Sequence, residues 1–320
     1  MSDESRILVG VSTCLLGEKV RWDAGHKHDR YLTDILGAYF RFVPVCPEAE
    51  LGMGIPREPV HLEGDVDAPR MIGNKSRDDW TDRMNRWSRR KLKELVPQGL
   101  SGYVLKKGSP SCGMERVPVK PDGGAGMPSK KGVGLFAAEL KRRLPLLPVE
   151  EEGRLNDPGL RENFIVRVFA YHRVQQLLGG RYRRGDVVKF HARHKYLLMA
   201  HSPQHYKRLG QLVAQVKDYT PVEFRELYTT QFMEALQLPA TARKNVNVLH
   251  HLLGYLRDRI GEAERHDILD VIERYRAGQV PLIVPMTLLN HHLKVQGVEY
   301  LLEQWYLQPT PAELALRNHV

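Results

Sequence analysis

The side chains best able to do chemistry are three cysteines, Cys14, Cys46 and Cys112, all in the first half of the 320-residue chain. An odd count in a chain read as cytoplasmic argues against a disulfide framework. Their spacings of 32 and 66 residues match no zinc ribbon or finger, whose ligands come in close pairs. Three thiolates arriving from separate loops suit a 4Fe–4S cluster with one iron left without a protein ligand. Such an iron can bind substrate and act as a Lewis acid. The alternative is three unrelated, partly buried cysteines packed as small hydrophobes. Gly, Pro and Ser beside each cysteine weigh against it, because core cysteines do not normally occupy strand-end turns.

Each cysteine follows an apolar, β-prone run. Arg6–Val11 leads into Ser12-Thr13-Cys14, Phe40–Val45 into Cys46-Pro47-Glu48, and Gly102–Leu105 through Lys106-Lys107-Gly108 into Ser109-Pro110-Ser111-Cys112-Gly113. Between these runs the sequence predicts helices over Asp29–Ala38 and Asp78–Leu95, the latter with Trp80, Met84, Trp87, Lys91 and Leu95 at helical spacing. Strands alternating with helices predict right-handed crossovers and a mostly parallel sheet with flanking helices. Loops leaving the carboxyl ends of such strands share one edge, where ligands bind. The three thiols can therefore meet although they are far apart in sequence.

Composition narrows the setting. No apolar run approaches the ~18 residues of a membrane span, and Met1–Arg6 does not read as a secretory signal. The expectations are a cytoplasmic location and no membrane partner. A net charge of +10 favours polyanionic partners. The excess is spread, with 26 basic against 22 acidic side chains before residue 156 and 22 against 16 after it, so composition alone leaves nucleic acid open.

Several blocks resemble the thiouracil desulfidase (TudS-like) family over about residues 5–150. They are Val11-Ser12-Thr13-Cys14-Leu15-Leu16-Gly17 with Arg21-Trp22-Asp23, Val45-Cys46-Pro47-Glu48 with Pro56-Arg57, Ser109-Pro110-Ser111-Cys112-Gly113, and Lys131-Gly132-Val133-Gly134-Leu135-Phe136. Trp22 stands where the family usually has Tyr. The remainder, with Lys189–Pro203, Asn247–Tyr255, Val280–Pro285 and Tyr300–Leu307, resembles a helical domain often fused to the first. Two-domain chains of this kind are similar to tRNA 4-thiouridine desulfidases. The expected architecture is an α/β cluster domain over 1–152 joined to an all-α, tRNA-binding domain over 160–320.

The resemblance implies a non-redox desulfuration. Cys14, Cys46 and Cys112 would hold three irons of a 4Fe–4S cluster, and the open iron would bind the thiocarbonyl sulfur of 4-thiouridine while water attacks C4. The step needs an acid/base, for which Glu48 is the choice. Its bland alternative is a helix-capping carboxylate. Ser109, preferred, and Ser111 would orient the base or water, the alternative being turn formation or hydrogen bonds to the cluster sulfurs. Arg21, Arg57 and Lys106 are weaker substrate-binding candidates, each open to being an ordinary surface charge. The same chemistry on free thiouracil or a thionucleotide is a second reading, and a cluster-bearing RNA-binding or redox-sensing protein a third. No protein partner is implied.

The second half carries the recruiting residues of this reading. Glu150–Gly159 is acidic and turn-rich and reads as a linker. From Arg161 to Lys195 nine Lys/Arg face two acids, with Phe164, Phe169, Tyr171, Tyr182, Phe190 and Tyr196 interleaved. Such a mixture can grip an RNA backbone and stack bases, with Arg183, Arg184 and Arg193 as named candidates. Amphipathic helices with core aromatics are the alternative. His191/His194, His201/His205 and His250-His251 have helical spacings, but no carboxylate or cysteine completes a metal set. Gly123-Gly124-Ala125-Gly126 reads as a flexible loop over the site.

Overall fold

A computed structural model describes residues 6–124 and 126–319; the N-terminal signal reading and Ala125 fall outside them. The chain forms two compact units, Met1–Asp157 and Pro158–Val320.

The first unit is built on a four-stranded sheet of β1 (Ile7–Ser12), β2 (Phe40–Val45), β5 (Gly102–Leu105) and β8 (Val149–Glu151), in the order β2-β1-β5-β8. All three pairings are parallel, as the strand–helix alternation predicts. Strand β1 is central, with Val9 and Val11 fully buried. Gly10 is required there, because a Cβ would stand 2.2 Å from the Tyr103 ring on β5. That ring meets Phe136, which in turn meets Trp87. These contacts seat helices α2 (Thr81–Leu95) and α3 (Leu135–Arg143) on the sheet.

The chain leaves β1 for β2 on one side and later returns to β5 on the other. The loops after β1 and β5 therefore diverge, opening a crevice at their carboxyl ends. Ser12 Oγ, at the end of β1, accepts a hydrogen bond from the Lys106 amide just beyond β5 at 2.9 Å. The crevice is thus pinned at its base.

Three features correct the sequence reading. A second sheet, not foreseen, has β3 (Val60–Glu63), β4 (Arg70–Gly73), β6 (Val117–Lys120) and β7 (Ser129–Gly132) in the order β4-β3-β6-β7. The helix expected over Asp29–Ala38 is a π-type turn over Tyr31–Ile35 followed by a 3-10 turn. Asp29 Oδ1 accepts from the amides of Tyr31 and Leu32, an Asx-type start that competes with a regular helical turn.

The acidic run at 150–152 is not linker. Glu150 and Glu151 are buried in β8. Glu150 pairs with Arg154 at 2.6 Å, Glu151 accepts from the Met114 amide at 2.7 Å, and Glu152 accepts from the Lys107 amide at 2.7 Å. Acids are needed here because the loop after β5 presents donors to them.

The second unit is helical: α4 (Pro158–Leu178), α5 (Arg184–His201), α6 (Pro203–Ala214), α7 (Pro221–Gln237), α8 (Ala242–Gly254), α9 (Glu262–Arg276), α10 (Ile283–Val295) and α11 (Glu299–Leu302). Its starts follow capping rules. Thr220 and Glu223 form a capping box before Pro221, and Ser202 accepts from the His205 amide before Pro203. Phe164, Tyr196, Phe224, Tyr228 and Phe232 are fully or almost fully buried in its core. Among the described residues no helix is long and apolar enough to cross a membrane.

Candidate active site

A cavity of about 440 Å³ opens at the crevice, and Cys14, Cys46 and Cys112 all line it. Each is delivered by a different strand end. Cys14 lies in the 3-10 turn after β1, and Cys46 directly follows β2 as the N-cap of the short helix α1 (Pro47–Glu50). Cys112 ends the loop after β5. Glu48, Ser109, Ser111, Arg21, Arg57 and Lys106 line the same cavity.

The Cys112 loop is held by the block that follows β7. The amides of Leu135, Phe136 and Ala137 at the start of α3 donate to the carbonyls of Pro110 and Ser111 at 3.0–3.1 Å, and the Gly134 amide donates to Gly113 at 2.8 Å. The free N–H groups of the helix start are thereby satisfied by the loop itself. A Cβ on Gly134 would lie 2.6 Å from the Ser111 carbonyl, and one on Gly113 would lie 2.3 Å from Val117. Both glycines are thus imposed by close approach.

Burial pushes all three thiols up: Cys14 to about 11, Cys46 also upward, and Cys112, the most enclosed, furthest. The charge of Cys46 raises Cys14 further, and that of Cys14 raises Cys112. Three thiolates cannot share this desolvated space without a cationic partner. Among the described residues no three His, Cys, Asp or Glu side chains are gathered closely enough to ligate a single metal ion.

Glu48 is fixed from both sides. Its Oε2 accepts from Arg57 Nη2 at 2.6 Å and Nε at 3.1 Å. Its Oε1 accepts from Ser111 Oγ at 2.7 Å and, more weakly, from Ser109 Oγ at 3.4 Å. The two hydroxyls are 2.9 Å apart. Ser109 Oγ also accepts from the amides of Ser111 and Cys112, so the turn-forming role weighed for it is present as well. Ser111 is buried, and Ser109 is the more accessible of the pair.

Two candidates change character. Arg57 lines the cavity, but its guanidinium is committed to Glu48 and to the carbonyls of Val20 and Gly54. It positions Glu48 and has little left for a substrate phosphate. Lys106 pairs with Glu152 and donates to the Lys107 carbonyl. Arg21 is less committed: its Nε lies 3.5 Å from Asp23 and makes no hydrogen bond.

Trp22, Lys27, Lys107 and His61 also line the cavity; the sequence marks Trp22 as a departure from the family pattern and assigns none of the four a role. Lys107 adjoins Lys106 and could have been reached by following that loop. His61 comes from the unforeseen sheet, where its ring lies 2.6 Å from Asn74 and 3.0 Å from Glu63. Gly123 and Gly124 do not line the cavity; the Gly123 amide donates to Glu63 instead.

Arg183, Arg184 and Arg193 belong to the helical unit and are not among the cavity residues. Arg183 and Arg184 are exposed at the start of α5. Arg193 is half-buried over the Trp305 ring and donates to the Glu303 carbonyl. The aromatics interleaved with these cations are all buried or half-buried, which corrects the stacking reading of this stretch. Phe190, for example, packs on His194 and Phe232. His191, His194 and His201 are buried, whereas His250 and His251 are exposed; burial lowers His191 and His201 to about 4, and His201 bonds to the Leu238 carbonyl.

Residues 9–152 match the family described as 2-thiouracil desulfurase, and residues 195–311 match DUF1722, a family described as of unknown function. The Uncharacterized protein YbgA of Escherichia coli (strain K12) is 30% identical over 158 residues, 49% of this chain and 94% of that protein. A solved 4Fe-4S-dependent thiouracil desulfidase, TudS, is 32% identical across 48% of this chain and 94% of its own, with a TM-score of 0.39. Residues 9–152 thus form a domain of the 2-thiouracil desulfurase family, joined in one polypeptide to a DUF1722 region, the layout of a two-domain thiouracil desulfidase-like enzyme.

Proposed function

We propose that this enzyme removes sulfur from 4-thiouridine in tRNA, converting thionucleoside and water to uridine and sulfide with the help of a 4Fe–4S cluster. The observation that carries the reading is the convergence of two buried thiols and one half-buried thiol, a clamped carboxylate and two serines on one cavity from three strand ends. Thiolates are the usual ligands of cluster irons. A cluster takes one thiolate per iron, so its ligands need not meet at a single point, and its charge offsets what burial makes costly. Cys14, Cys46 and Cys112 would hold it. When bound, it would supply a Lewis-acidic iron to the thiocarbonyl sulfur.

The residues of the chain supply the proton path. Arg57 holds one oxygen of Glu48, leaving Oε1 to the serine pair. Glu48 Oε1 is therefore the atom that takes a proton from the attacking water and returns one to the ring or leaving group. Ser111 orients that carboxylate from the buried side, and Ser109 meets water or base from the accessible side. In the helical unit, Arg183 and Arg184 contact tRNA phosphates.

A second reading, action on free thiouracil, is favoured by one fact: every residue lining the cavity lies between Ser12 and Pro118, inside the first unit. One experiment separates the two. The protein is purified anaerobically, its cluster reconstituted, and tRNA carrying 4-thiouridine added while the near-ultraviolet thiocarbonyl band is followed. The band should vanish with wild type and persist with Cys112→Ala. An intact band beside a bound cluster, with free 4-thiouracil consumed, would overturn the tRNA reading in favour of the free base.

A further inference from the structure

Three of the segments singled out in the second half of the sequence, Lys189–Pro203, Asn247–Tyr255 and Tyr300–Leu307, bring tyrosines to one spot on the helical unit. Tyr255 follows α8 and Tyr300 lies in α11, yet their rings stack with centroids 6.0 Å apart and planes 28° from parallel. They remain 41% and 43% exposed. Tyr196 of α5 is buried, and its hydroxyl shares a hydrogen bond with Tyr255. Tyr206 of α6 completes the group. Burial first, and then the neighbouring hydroxyls, raises Tyr196, Tyr206 and Tyr300 above the ordinary phenol range.

The exposed pair is held in place. The Gln304 side chain donates to the Tyr300 carbonyl at 3.4 Å and to the Ala192 carbonyl of α5 at 2.9 Å, and the Trp305 amide donates to the Arg193 carbonyl. Arg259 donates to the Gln296 carbonyl at 3.2 Å, tying the segment after α8 to the one before α11. A stacked aromatic pair fixed with its outer surface in water adds little to the core and is placed to meet another flat ring.

The surroundings select the kind of ring. Lys195 sets its ammonium 4.9 Å from the centre of the Tyr196 ring. Lys189 is exposed and precedes Tyr196 by seven residues, two turns along the same face of α5 and about 10 Å away. Arg183 and Arg184 are exposed at the start of that helix. Cations and rings thus follow one rigid rod, a combination that tracks a phosphate backbone while stacking its unpaired bases.

We infer that Tyr255 and Tyr300 form a base-stacking site for an unpaired nucleotide of an RNA strand, continuous with the cations of α5. The inference rests on reading the helical unit as the RNA-recruiting half and adds what that unit recognises: open bases in a single-stranded stretch, with or without a thio group.

The test measures binding, not turnover. The cluster-loaded full-length chain is titrated with a short labelled oligouridylate and with an RNA duplex of equal length across a salt series, and thermal melting checks each variant. Tyr255→Leu/Tyr300→Leu, which keeps bulk without a π face, should weaken single-strand binding by about tenfold or more and duplex binding by no more than about twofold. Its salt slope should stay within about one phosphate contact of wild type, because stacking releases no counterions. Tyr255→Phe/Tyr300→Phe should retain most binding. Ultraviolet crosslinking of an iodouridine-substituted strand to wild type needs no variant, and the adduct should map to Tyr255 or Tyr300. Unchanged single-strand affinity in the leucine variant, equal losses on strand and duplex, or adducts confined to other residues would each overturn the site. A wild-type dimer that the leucine variant dissociates, with RNA affinity unaltered, would overturn it in favour of a contact between copies of the chain. No RNA binding by wild type overturns this site and the tRNA reading together, whereas failure of desulfuration with the binding pattern intact sinks the reaction and leaves the site standing.

Discussion

At the scale of single residues, Glu48 and the thiols make different predictions. Glu48 is held so that one oxygen alone faces the serine pair. Glu48→Gln keeps the shape but loses the proton site, so turnover should fall by about a hundredfold or more with cluster absorbance unchanged. Arg57→Lys preserves charge but cannot serve Glu48, Val20 and Gly54 together as the planar guanidinium does. A fall of about tenfold in kcat with little change in KM is expected, since Arg57 positions a group and does not bind substrate. Equal turnover in wild type and Glu48→Gln would leave Glu48 as a structural tie between Arg57 and the serine loop. For the thiols the sign follows from burial, which raises Cys14 to about 11 and the other two upward from their ordinary value. The empty site is therefore protonated at neutral pH, and ligation must release those protons. Cluster retention against a chelator should improve steadily from pH 7 to pH 9, after correction for the chelator's own titration. Retention independent of pH would mean that the cysteines are not the ligands.

At the scale of elements, the start of α3 is the support of the Cys112 loop. Gly134 lies so close to Ser111 and Cys112 that an added Cβ must displace backbone. Gly134→Ala should cost about 1–3 kcal/mol and lower cluster occupancy, read by thermal melting and iron content; an unchanged melt with full occupancy would show that the loop needs no such fit. The resemblance of the Lys131–Phe136 block flagged this segment in the sequence, but not the reason for it, which is a backbone contact between residues more than twenty positions apart. Parallel strands β1, β2 and β5 were legible because each is a run of apolar, β-prone residues ending in a turn. The second sheet was not legible. Its strands, Val-His-Leu-Glu, Arg-Met-Ile-Gly, Val-Pro-Val-Lys and Ser-Lys-Lys-Gly, are short and rich in polar residues, and Glu63 is held there by His61 beside it and by Arg70, Arg77 and the Gly123 amide from other segments. The acidic run in β8 misled for the same reason. Its charges look solvated until the donors of Lys106, Lys107 and Met114 arrive from elsewhere in the fold, joining the nearby Arg154. The three cysteines, Glu48 and the serines could be picked out as candidates because motif and turn chemistry coincide there, whereas the meeting of Trp22, Lys27 and His61 at one cavity shows only once the loops are brought together.

At the scale of the whole molecule, the net charge of +10 has to be converted into a surface before it says anything about RNA. Most of the basic–aromatic stretch does not survive that conversion, because its rings are buried or half-buried and Arg173 and Arg193 pack on Trp305. What remains is compact. Arg181, Arg183, Arg184 and Lys189 are exposed around the start of α5, with Asp186 the one acid among them, its carboxylate accepting from the Arg183 amide. If this patch meets the tRNA backbone, Arg183→Glu/Arg184→Glu should weaken action on thiolated tRNA by about tenfold or more at low salt, and reduce the dependence on salt by about two phosphate contacts. Turnover of free 4-thiouracil, which needs only residues of the first unit, should stay within about twofold. The pair of substrates is essential to the argument. A structural defect in the helical unit lowers action on tRNA without changing the salt slope, whereas loss of phosphate contacts lowers both. Truncation after Asp157 should give the larger version of the same result, because each unit packs its own core: tRNA activity lost, free-base activity kept. Equal losses on both substrates would make the second unit a support for the first, and equal retention would leave the tRNA without a partner in the helical half.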